Sequence, residues 1–300
     1  MHPYSEAYYR RELQSMAALK PTVAGPLVVS RESGPRPEAG YMYVEKRRTP
    51  LRNVPVMRLD GQVWMSLTPM EVQSSFMAIH LARGRVGTAG LGLGYFVQRV
   101  LDKPEVDHVI VYELRQEVLE LYARTFGSHP KLELRHANAR LLEGERWDFF
   151  YADIYRHLLT PQAIGDMAAL CSANRIGRYH WWSIEQAVLE VLHAGLAHRL
   201  PAWMLDTCLP FLRVYAQHIS PESVQLFGCG LSLVEELEHH GLGTSAPGGF
   251  RAQQRVLPGG LPVTMRSERA VIATGSNQES GLTARSNGAR KPPSICPSSS

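Results

Sequence analysis

The spacing of apolar residues changes repeatedly along the chain, and the changes are most regular between residues 85 and 200. Some runs are almost wholly apolar, such as 109–112, which is typical of a strand covered on both faces. Between these runs, apolar residues recur every third or fourth position, as in a helix that buries one face. The alternation of strand and helix predicts a doubly wound, mostly parallel α/β sheet with helices on both faces.

Each predicted strand of this region except 131–136 is followed by a predicted helix until about residue 200. The predicted strands lie at 85–89, 106–113, 131–136, 147–153 and 175–182, with a further candidate at 224–227. The predicted helices lie at 94–102, 115–126, 160–171 and 183–200, at 202–219 with a break at Pro210, and at 232–241.

The region before residue 85 has a different pattern. A short amphipathic helix is predicted at 4–19, and the four prolines and three glycines of 21–40 predict a loop. Residues 41–67 alternate as in a small β-meander, with Asp60-Gly61 as a hairpin turn. Thr68, Pro69 and Glu71 then form the capping-box pattern with which a helix begins.

The C-terminal part of the chain lacks any such period. From about residue 243 onward glycine, serine, proline and arginine dominate, which predicts a disordered tail. The chain is therefore expected to comprise an N-terminal helix, β-meander and capping helix (1–84), an α/β domain (85–242) and a tail (243–300).

The net charge of +4 is concentrated in the tail. Residues 247–300 hold seven arginine or lysine residues and two acids, which leaves 25 basic and 26 acidic residues in 1–246. A nucleic-acid interface needs clustered positive charge, so the composition predicts no nucleic-acid partner for the body. For the tail, a solvated disordered segment and contact with an anionic partner both stay open.

The cysteine pattern and the hydropathy of the chain indicate the cellular compartment. Cys171, Cys208, Cys229 and Cys296 form no CxxC pair and have no histidine at zinc-site spacing, so no metal is predicted. A reduced, cytoplasmic chain is the simplest interpretation. Residues 1–20 lack the apolar run of a signal peptide, and no stretch approaches the roughly 18 apolar residues that span a bilayer, so no membrane contact is expected.

One stretch, residues 85–96, combines a buried strand, a glycine turn and the start of a helix. Such a unit presents free N–H groups to a nucleotide-like ligand at the carboxyl end of the strand. Gly90, Gly92 and Gly94 lack Cβ atoms, so the backbone can approach a ligand closely. A dinucleotide site needs a third glycine at position 95 or 97, and these positions hold tyrosine and valine, which disfavours a nicotinamide oxidoreductase.

The order of these features resembles the class I S-adenosylmethionine-dependent methyltransferases. The matching features are the strand that runs into G-x-G-x-G, an acid after the second strand (Glu113), a short turn after the third (137–139), and an acid after the fourth (Asp153). The resemblance implies S-adenosylmethionine as cofactor. The contacts it implies come from Gly90, Leu91, Gly92, Gly94, Glu113, Leu114, Asn138 and Asp153.

The same resemblance implies individual roles. Glu113 would accept hydrogen bonds from the two ribose hydroxyls, since a carboxylate has two acceptor oxygens. Asn138 stands where the family usually has aspartate and would contact the adenine amine, unless it only stabilises its own turn. Asp153, with Tyr155, would orient or deprotonate the methyl acceptor. Thr88 stands where the family often has an acid.

A narrower resemblance, over about 41–185, is to spermidine synthase-like proteins, which carry a small β-domain before the same sheet. It rests on Leu59-Asp60-Gly61, a strand, and the Thr68…Glu71 helix that leads into the glycine strand. The leading hypothesis is a methyltransferase with a small-molecule or undetermined acceptor. The alternatives are a polyamine aminopropyltransferase-like enzyme, which needs an acidic pocket, and a non-catalytic module that binds S-adenosylmethionine.

Overall fold

A computed structural model describes residues 2–34, 40–44 and 51–243 of the chain. All of them belong to one compact unit, Met1–Gln254. The predicted tail, 243–300, lies outside the described residues apart from Gly243. The division of the rest into 1–84 and 85–242 stays a prediction.

The N-terminal part consists of one helix and a four-stranded antiparallel sheet. Helix α1 spans Glu6–Ser15, and the sheet has the order β1-β2-β3-β4. These strands are β1 (Thr22–Ala24), β2 (Leu27–Gly34), β3 (Leu51–Leu59) and β4 (Gln62–Ser66). The hairpin turn at Asp60-Gly61 is confirmed, because both residues have positive φ and Leu59 pairs with Gln62.

Two sequence predictions for this part are wrong. The loop predicted at 21–40 contains β1 and β2, which a turn at Gly25 (φ 58°) connects. Conversely, residues 41–44 form no strand of the sheet. Tyr43 makes isolated bridges to Gly40 and Val224, and Tyr41 and Met42 are buried against the helices of the C-terminal part.

The remaining elements follow in chain order. The helices are α2 (Pro69–Ser74), α3 (Phe76–Leu81), α4 (Tyr95–Leu101), α5 (Gln116–Phe126), α6 (Gln162–Ala173), α7 (Ile184–His193), α8 (Ala202–Tyr215) and α9 (Gly230–His239). The strands are β5 (Gly84–Ala89), β6 (Val106–Glu113), β7 (Leu132–His136), β8 (Arg146–Trp147), β9 (Phe149–Ala152), β10 (Arg175–Ile176) and β11 (Tyr179–Trp181).

Five of these strands form one parallel sheet with the order β11-β9-β5-β6-β7. Alternate residues of β6 divide between its two faces. Val109 and Val111 pack in a core with α4 and α5, while Ile110 and Tyr112 pack in a second core with α6 to α9. The predicted α/β fold with helices on both faces and a small N-terminal β-sheet is therefore confirmed.

Some boundaries differ from the prediction. The strand predicted at 175–182 is divided into β10, which pairs with β8, and β11, which pairs with β9. The strand predicted at 224–227 is wrong, since only Val224 makes an isolated bridge. The break predicted at Pro210 is also wrong, because α8 continues through it.

The order of the strands in the parallel sheet defines where a ligand-binding crevice is expected. From β5 the chain builds outward through β6 and β7, then returns to the other side of β5 with β9 and β11. The direction of winding thus changes between β5 and β9, and open α/β sheets bind ligands at the carboxyl ends of the strands at such a point. Gly90 follows β5 there and Asp153 follows β9; we call the space bordered by these two residues the crevice.

Within the described residues, no helix combines the length and the apolar character that crossing a bilayer requires.

Candidate functional site

The loop after β5 has a left-handed backbone at each of its glycines. The φ angles of Gly90, Gly92 and Gly94 are 90°, 53° and 81°. Side chains with a Cβ rarely adopt these values, so the loop conformation itself requires glycine.

The empty side of each glycine faces protein. A Cβ at Gly90 would overlap the carbonyl oxygen of Asp153, and one at Gly92 would overlap the Met65 sulfur of β4. A Cβ at Gly94 would lie 2.6 Å from the ring of Tyr122. Backbone geometry and packing thus account for the three glycines, and their role in binding a ligand stays a prediction.

The N–H groups of the loop are largely occupied, contrary to the expectation that they are free for a ligand. The donors and acceptors are Gly90 to the Tyr112 carbonyl (2.9 Å), Leu91 to Glu113 Oε2 (3.0 Å), Leu93 to the Met65 sulfur (3.1 Å) and Gly94 to the Leu91 carbonyl (2.8 Å). A loop whose donors are satisfied in this way is poorly suited to cradle a phosphate.

Glu113 lies half-buried at the end of β6, next to this loop. Its two carboxylate oxygens accept from the backbone N–H groups of Leu91 (3.0 Å) and Arg115 (2.9 Å). Because each carboxylate oxygen has two lone pairs, each retains one acceptor position. The carboxylate therefore fixes the loop and can still accept from a ligand's hydroxyl groups.

Leu114 and Asn138 lie farther along the same edge of the sheet. The side chain of Leu114 is 64% exposed, and its carbonyl lies 2.9 Å from His136 Nε2. Asn138 is also exposed, and its Oδ1 accepts from the Arg140 N–H (3.1 Å) at the start of a single 3₁₀ turn. This confirms the turn-forming role of Asn138, whereas its contact with adenine stays a prediction.

Asp153 is half-buried on the other side of the loop. Its backbone N–H donates to the Ala89 carbonyl (2.9 Å), which extends the pairing of β9 with β5 and places the residue beside Gly90. Burial raises the pKa of its carboxyl group. A carboxylate with a raised pKa is a better proton acceptor near neutral pH.

Tyr155 lies against α6. Its hydroxyl is buried beside Asp166, which forms an ion pair with Arg140 (2.9 Å). Burial, and next the charge of Asp166, raise the pKa of Tyr155. The role predicted for Tyr155, contact with the methyl acceptor, needs an accessible hydroxyl. In this structure the hydroxyl is buried, so that role stays a prediction.

Thr88, at the position where an acid was considered, lies inside β5 and is completely buried. Its neighbours across the sheet are Val111 of β6 and Tyr151 of β9. This position therefore presents no side chain to the surface of the crevice.

Sequence reasoning missed Glu71 as a site residue. Thr68 precedes α2 as predicted, but its side chain makes no capping hydrogen bond, so the capping box is wrong. The Glu71 carboxylate instead accepts from the Ser75 hydroxyl (3.3 Å). Burial, and next the charge of Asp153, raise the pKa of Glu71, which therefore lies close to Asp153. The sequence did not indicate Glu71 as a site residue, because its spacing from Thr68 was already explained by a capping box at the start of the helix.

The described residues contain no group of three or more histidine, cysteine, aspartate or glutamate side chains arranged to hold a metal ion.

No model of a known protein family matches the sequence, and no curated protein matches it significantly. Among solved structures, the chain is similar to spermidine synthase from Thermotoga maritima, with 19% identity and a TM-score of 0.30 over 49% of this chain and 64% of that one. It is also similar to the 23S rRNA methyltransferase ErmE, with 18% identity and a TM-score of 0.28 over 34% and 41% of the two chains.

A third similar structure is the DhpI-SAM-HEP complex, with 16% identity and a TM-score of 0.28 over 34% of this chain and 47% of that one. The chain thus spans less than two thirds of the length of each of these structures.

Proposed function

We propose that the chain is an S-adenosylmethionine-dependent methyltransferase that acts on a small-molecule acceptor. One observation carries the proposal. The glycine loop, Glu113 and Asp153 lie together at the carboxyl edge of the parallel sheet, where the winding direction changes between β5 and β9.

The occupied N–H groups of the loop favour a nucleoside over a dinucleotide. A pyrophosphate is bound mainly by free backbone donors at the start of a helix. Here the donors of Gly90, Leu91 and Gly94 are used within the protein. S-adenosylmethionine carries no phosphate, so it needs no such donors.

The residues present fit the ribose end of this cofactor. Glu113 is held in place by two backbone donors and keeps an acceptor position on each oxygen, which suits two neighbouring hydroxyls. Leu114 and Asn138, both exposed, continue along the same edge and would contact the base.

When bound, S-adenosylmethionine supplies a methyl group activated by a sulfonium leaving group. The protein's part is to hold the acceptor in line with that methyl and to take up the proton that the acceptor gives up. Asp153 borders the crevice, where it can take up the proton of the acceptor. The raised pKa of its carboxyl group favours this proton transfer. Glu71, close to Asp153, adds a second acceptor for the same proton.

One observation favours a second function, polyamine aminopropyl transfer. That reaction needs an acidic pocket for a cationic acceptor, and Glu71 with Asp153 supplies two carboxylates at the crevice. The donor would then be decarboxylated S-adenosylmethionine, which lacks the carboxylate of the methyl donor.

Calorimetry with four ligands tests the proposal. We expect S-adenosylmethionine and S-adenosylhomocysteine to bind and NAD to give no heat. Binding of decarboxylated S-adenosylmethionine alone would replace methyl transfer by aminopropyl transfer. Binding of the first two without methyl transfer to any member of an amine, hydroxyl and thiol acceptor panel would indicate a non-catalytic module. No binding of either would refute the proposal.

A further inference from the structure

A cavity of about 360 Å³ lies between the end of α1 and the strands β2 and β3. Its lining residues are Leu13, Gln14, Ala17, Arg31, Arg52 and Asn53. None of these residues borders the crevice. Binding sites for small organic molecules commonly have volumes of about 300–1,000 Å³, so the cavity is large enough for an organic ligand distinct from the one in the crevice.

A β-bulge brings two consecutive residues of β3 to this cavity. The pairing of β2 with β3 shifts at Ser33, which alone lies opposite Arg52 and Asn53. Asn53 has a φ of 58°, and its N–H donates to the Ser33 hydroxyl (3.1 Å). Consecutive side chains of a regular strand point to opposite faces, whereas the bulge allows both Arg52 and Asn53 to line one cavity.

Arg31 of β2 is fixed at the wall of the cavity by backbone carbonyls. Its Nε donates to Leu19 (3.1 Å), and its Nη2 donates to Met16 and Leu19 (both 2.8 Å). Its Nη1 donates to Asn53 (3.2 Å) and carries a second N–H group, which remains available to a ligand. The carbonyls at the end of α1 carry only partial negative charges, so the guanidinium keeps most of its positive charge.

The second guanidinium of the cavity, that of Arg52, is exposed and forms no hydrogen bond or ion pair within the described residues. All five of its N–H donors are therefore available. Gln14 and Asn53 are also exposed, and their side-chain amides add further N–H donors at the same cavity.

Among the described residues, no acid lines the cavity. Each acid of α1, β2 and β3 forms an ion pair with an arginine that lies outside the lining. These pairs are Glu6 with Arg10, Glu12 with Arg99 and Glu32 with Arg58. The charges of Arg31 and Arg52 thus meet at the cavity without a carboxylate to balance them.

We propose that this cavity binds a phosphate monoester. The phosphate lies at Arg31 and Arg52, because the planar guanidinium fork matches phosphate oxygens. A phosphate monoester carries about 1.5 to 2 negative charges at neutral pH, which balances two guanidinium groups, whereas a carboxylate would balance only one. The organic part lies against Leu13, which is half-buried, and Ala17, which is exposed. The cofactor of the proposed function carries no phosphate, so this ligand is a different molecule.

Calorimetry on the full chain at neutral pH tests this proposal, with phenyl phosphate, inorganic phosphate and benzoate as probes. The main variant is Arg52→Gln, because the Arg52 side chain has no structural contact to lose. The second variant is Ala17→Trp, which fills the cavity without changing its charge. The control is Arg213→Gln, which removes an exposed arginine of α8. Thermal melts without ligand show whether each variant folds.

We expect phenyl phosphate to bind more tightly than inorganic phosphate and benzoate. Arg52→Gln should weaken its binding about tenfold or more, since a hydrogen bond between two charged groups is lost. Ala17→Trp should abolish binding, and Arg213→Gln should leave it unchanged. Absence of phenyl phosphate binding would overturn the proposal. So would equal affinity for phenyl phosphate and either of the other probes, or equal effects of Arg52→Gln and Arg213→Gln.

Discussion

At the scale of single residues, Glu113 combines two tasks in one carboxylate. It holds the loop N–H of Leu91 and, in the proposed function, accepts from the ribose. The first task is visible in the structure, whereas the sequence indicated only the second, because the position after the second strand marks a ligand contact. A residue with both tasks should affect affinity and loop order together.

We therefore expect Glu113→Gln to weaken S-adenosylhomocysteine binding by about 1.5–3 kcal/mol, the usual range for hydrogen bonds to a charged group. The amide keeps one oxygen for a backbone donor, so the protein should stay folded. Calorimetry measures the change, with Glu120→Gln as control. An unchanged affinity would remove Glu113 from the site.

A second residue, Glu185 of α7, is completely buried. Its carboxylate accepts from the Tyr41 hydroxyl (3.1 Å) and lies 4.0 Å from His180 Nε2, with Tyr4, Tyr215 and Cys208 nearby. Burial raises the pKa of Glu185 to about 8 from 4.5. The folded chain thus holds a proton there that the unfolded chain releases at lower pH.

This pKa shift sets a pH dependence of stability. Because the folded-state pKa is above the unfolded one, the contribution of Glu185 is fully present below about pH 4.5 and is lost as the pH rises toward 8. Glu185→Gln keeps an acceptor for Tyr41 and removes the titration. Urea unfolding at pH 5.5 and 8.5 should show the wild type losing more stability than the variant over this interval.

Comparing the two proteins cancels the titration of His180, Glu71 and Asp153, which occurs in both. An equal loss of stability in wild type and Glu185→Gln would show that Glu185 is ionised or hydrated in the folded chain.

At the scale of elements, buried strands were predictable and short, partly exposed ones were not. Four consecutive residues in each of β5, β6 and β9 are buried and most of them are apolar, which is a strong local signal. The strand β1 is short and β2 is partly exposed, and the glycine and proline of the turn between them are equally typical of a loop. Residues 41–44 are apolar because Tyr41 and Met42 pack on helices, a long-range reason that a local pattern does not contain.

The elements also show why the sequence pattern did not indicate Glu71 as a site residue. Glu71 belongs to α2 and Asp153 follows β9, so only the folded chain brings the two residues near each other. The positions of Glu113 and Asp153 were predictable because strand ends in a parallel sheet share one edge. No comparable rule predicts where a helix that precedes the sheet in the chain, such as α2, will pack on that edge.

Helix α1 is tied to α4, the helix that follows the glycine loop. Glu12 of α1 is completely buried, forms an ion pair with Arg99 Nε (2.7 Å) and accepts from the Tyr95 hydroxyl (3.1 Å). Removing Glu12 takes away one partner of a largely buried ion pair and the acceptor of the Tyr95 hydroxyl, while Arg99 keeps its ion pair with Asp102 (2.9 Å). Breaking a fully buried pair costs about 3–5 kcal/mol, so the loss here lies at the lower end, about 3 kcal/mol. We expect Glu12→Ala to lower the free energy of unfolding by that order.

The control for this change is Glu6→Ala in the same helix, where the ion pair with Arg10 is exposed. Exposed pairs contribute at most about 1 kcal/mol. Urea titrations of both variants make the comparison, and equal losses of stability would argue that Glu12 acts only through helix propensity.

At the scale of the whole molecule, the N-terminal sheet and the parallel sheet share one hydrophobic core. Leu27, Val54 and Met57 of the first belong to the same cluster as Val86 and Val109 of the second. Met65 of β4 reaches the glycine loop, and α1 reaches α4. A core shared in this way predicts that the two parts unfold together, rather than as the separate domains 1–84 and 85–242.

Hydrogen exchange at increasing urea, read by mass spectrometry, tests this prediction. Peptides from β2 and β3 should lose protection at the same urea concentration as peptides from β5 and β6, because neither part keeps its apolar face covered without the other. Loss of protection in β2 and β3 at clearly lower urea would instead establish residues 1–84 as an independent unit. In that case Met65 and Glu71, which both come from that region, would reach the crevice only while the two parts are docked, and the site would depend on that docking.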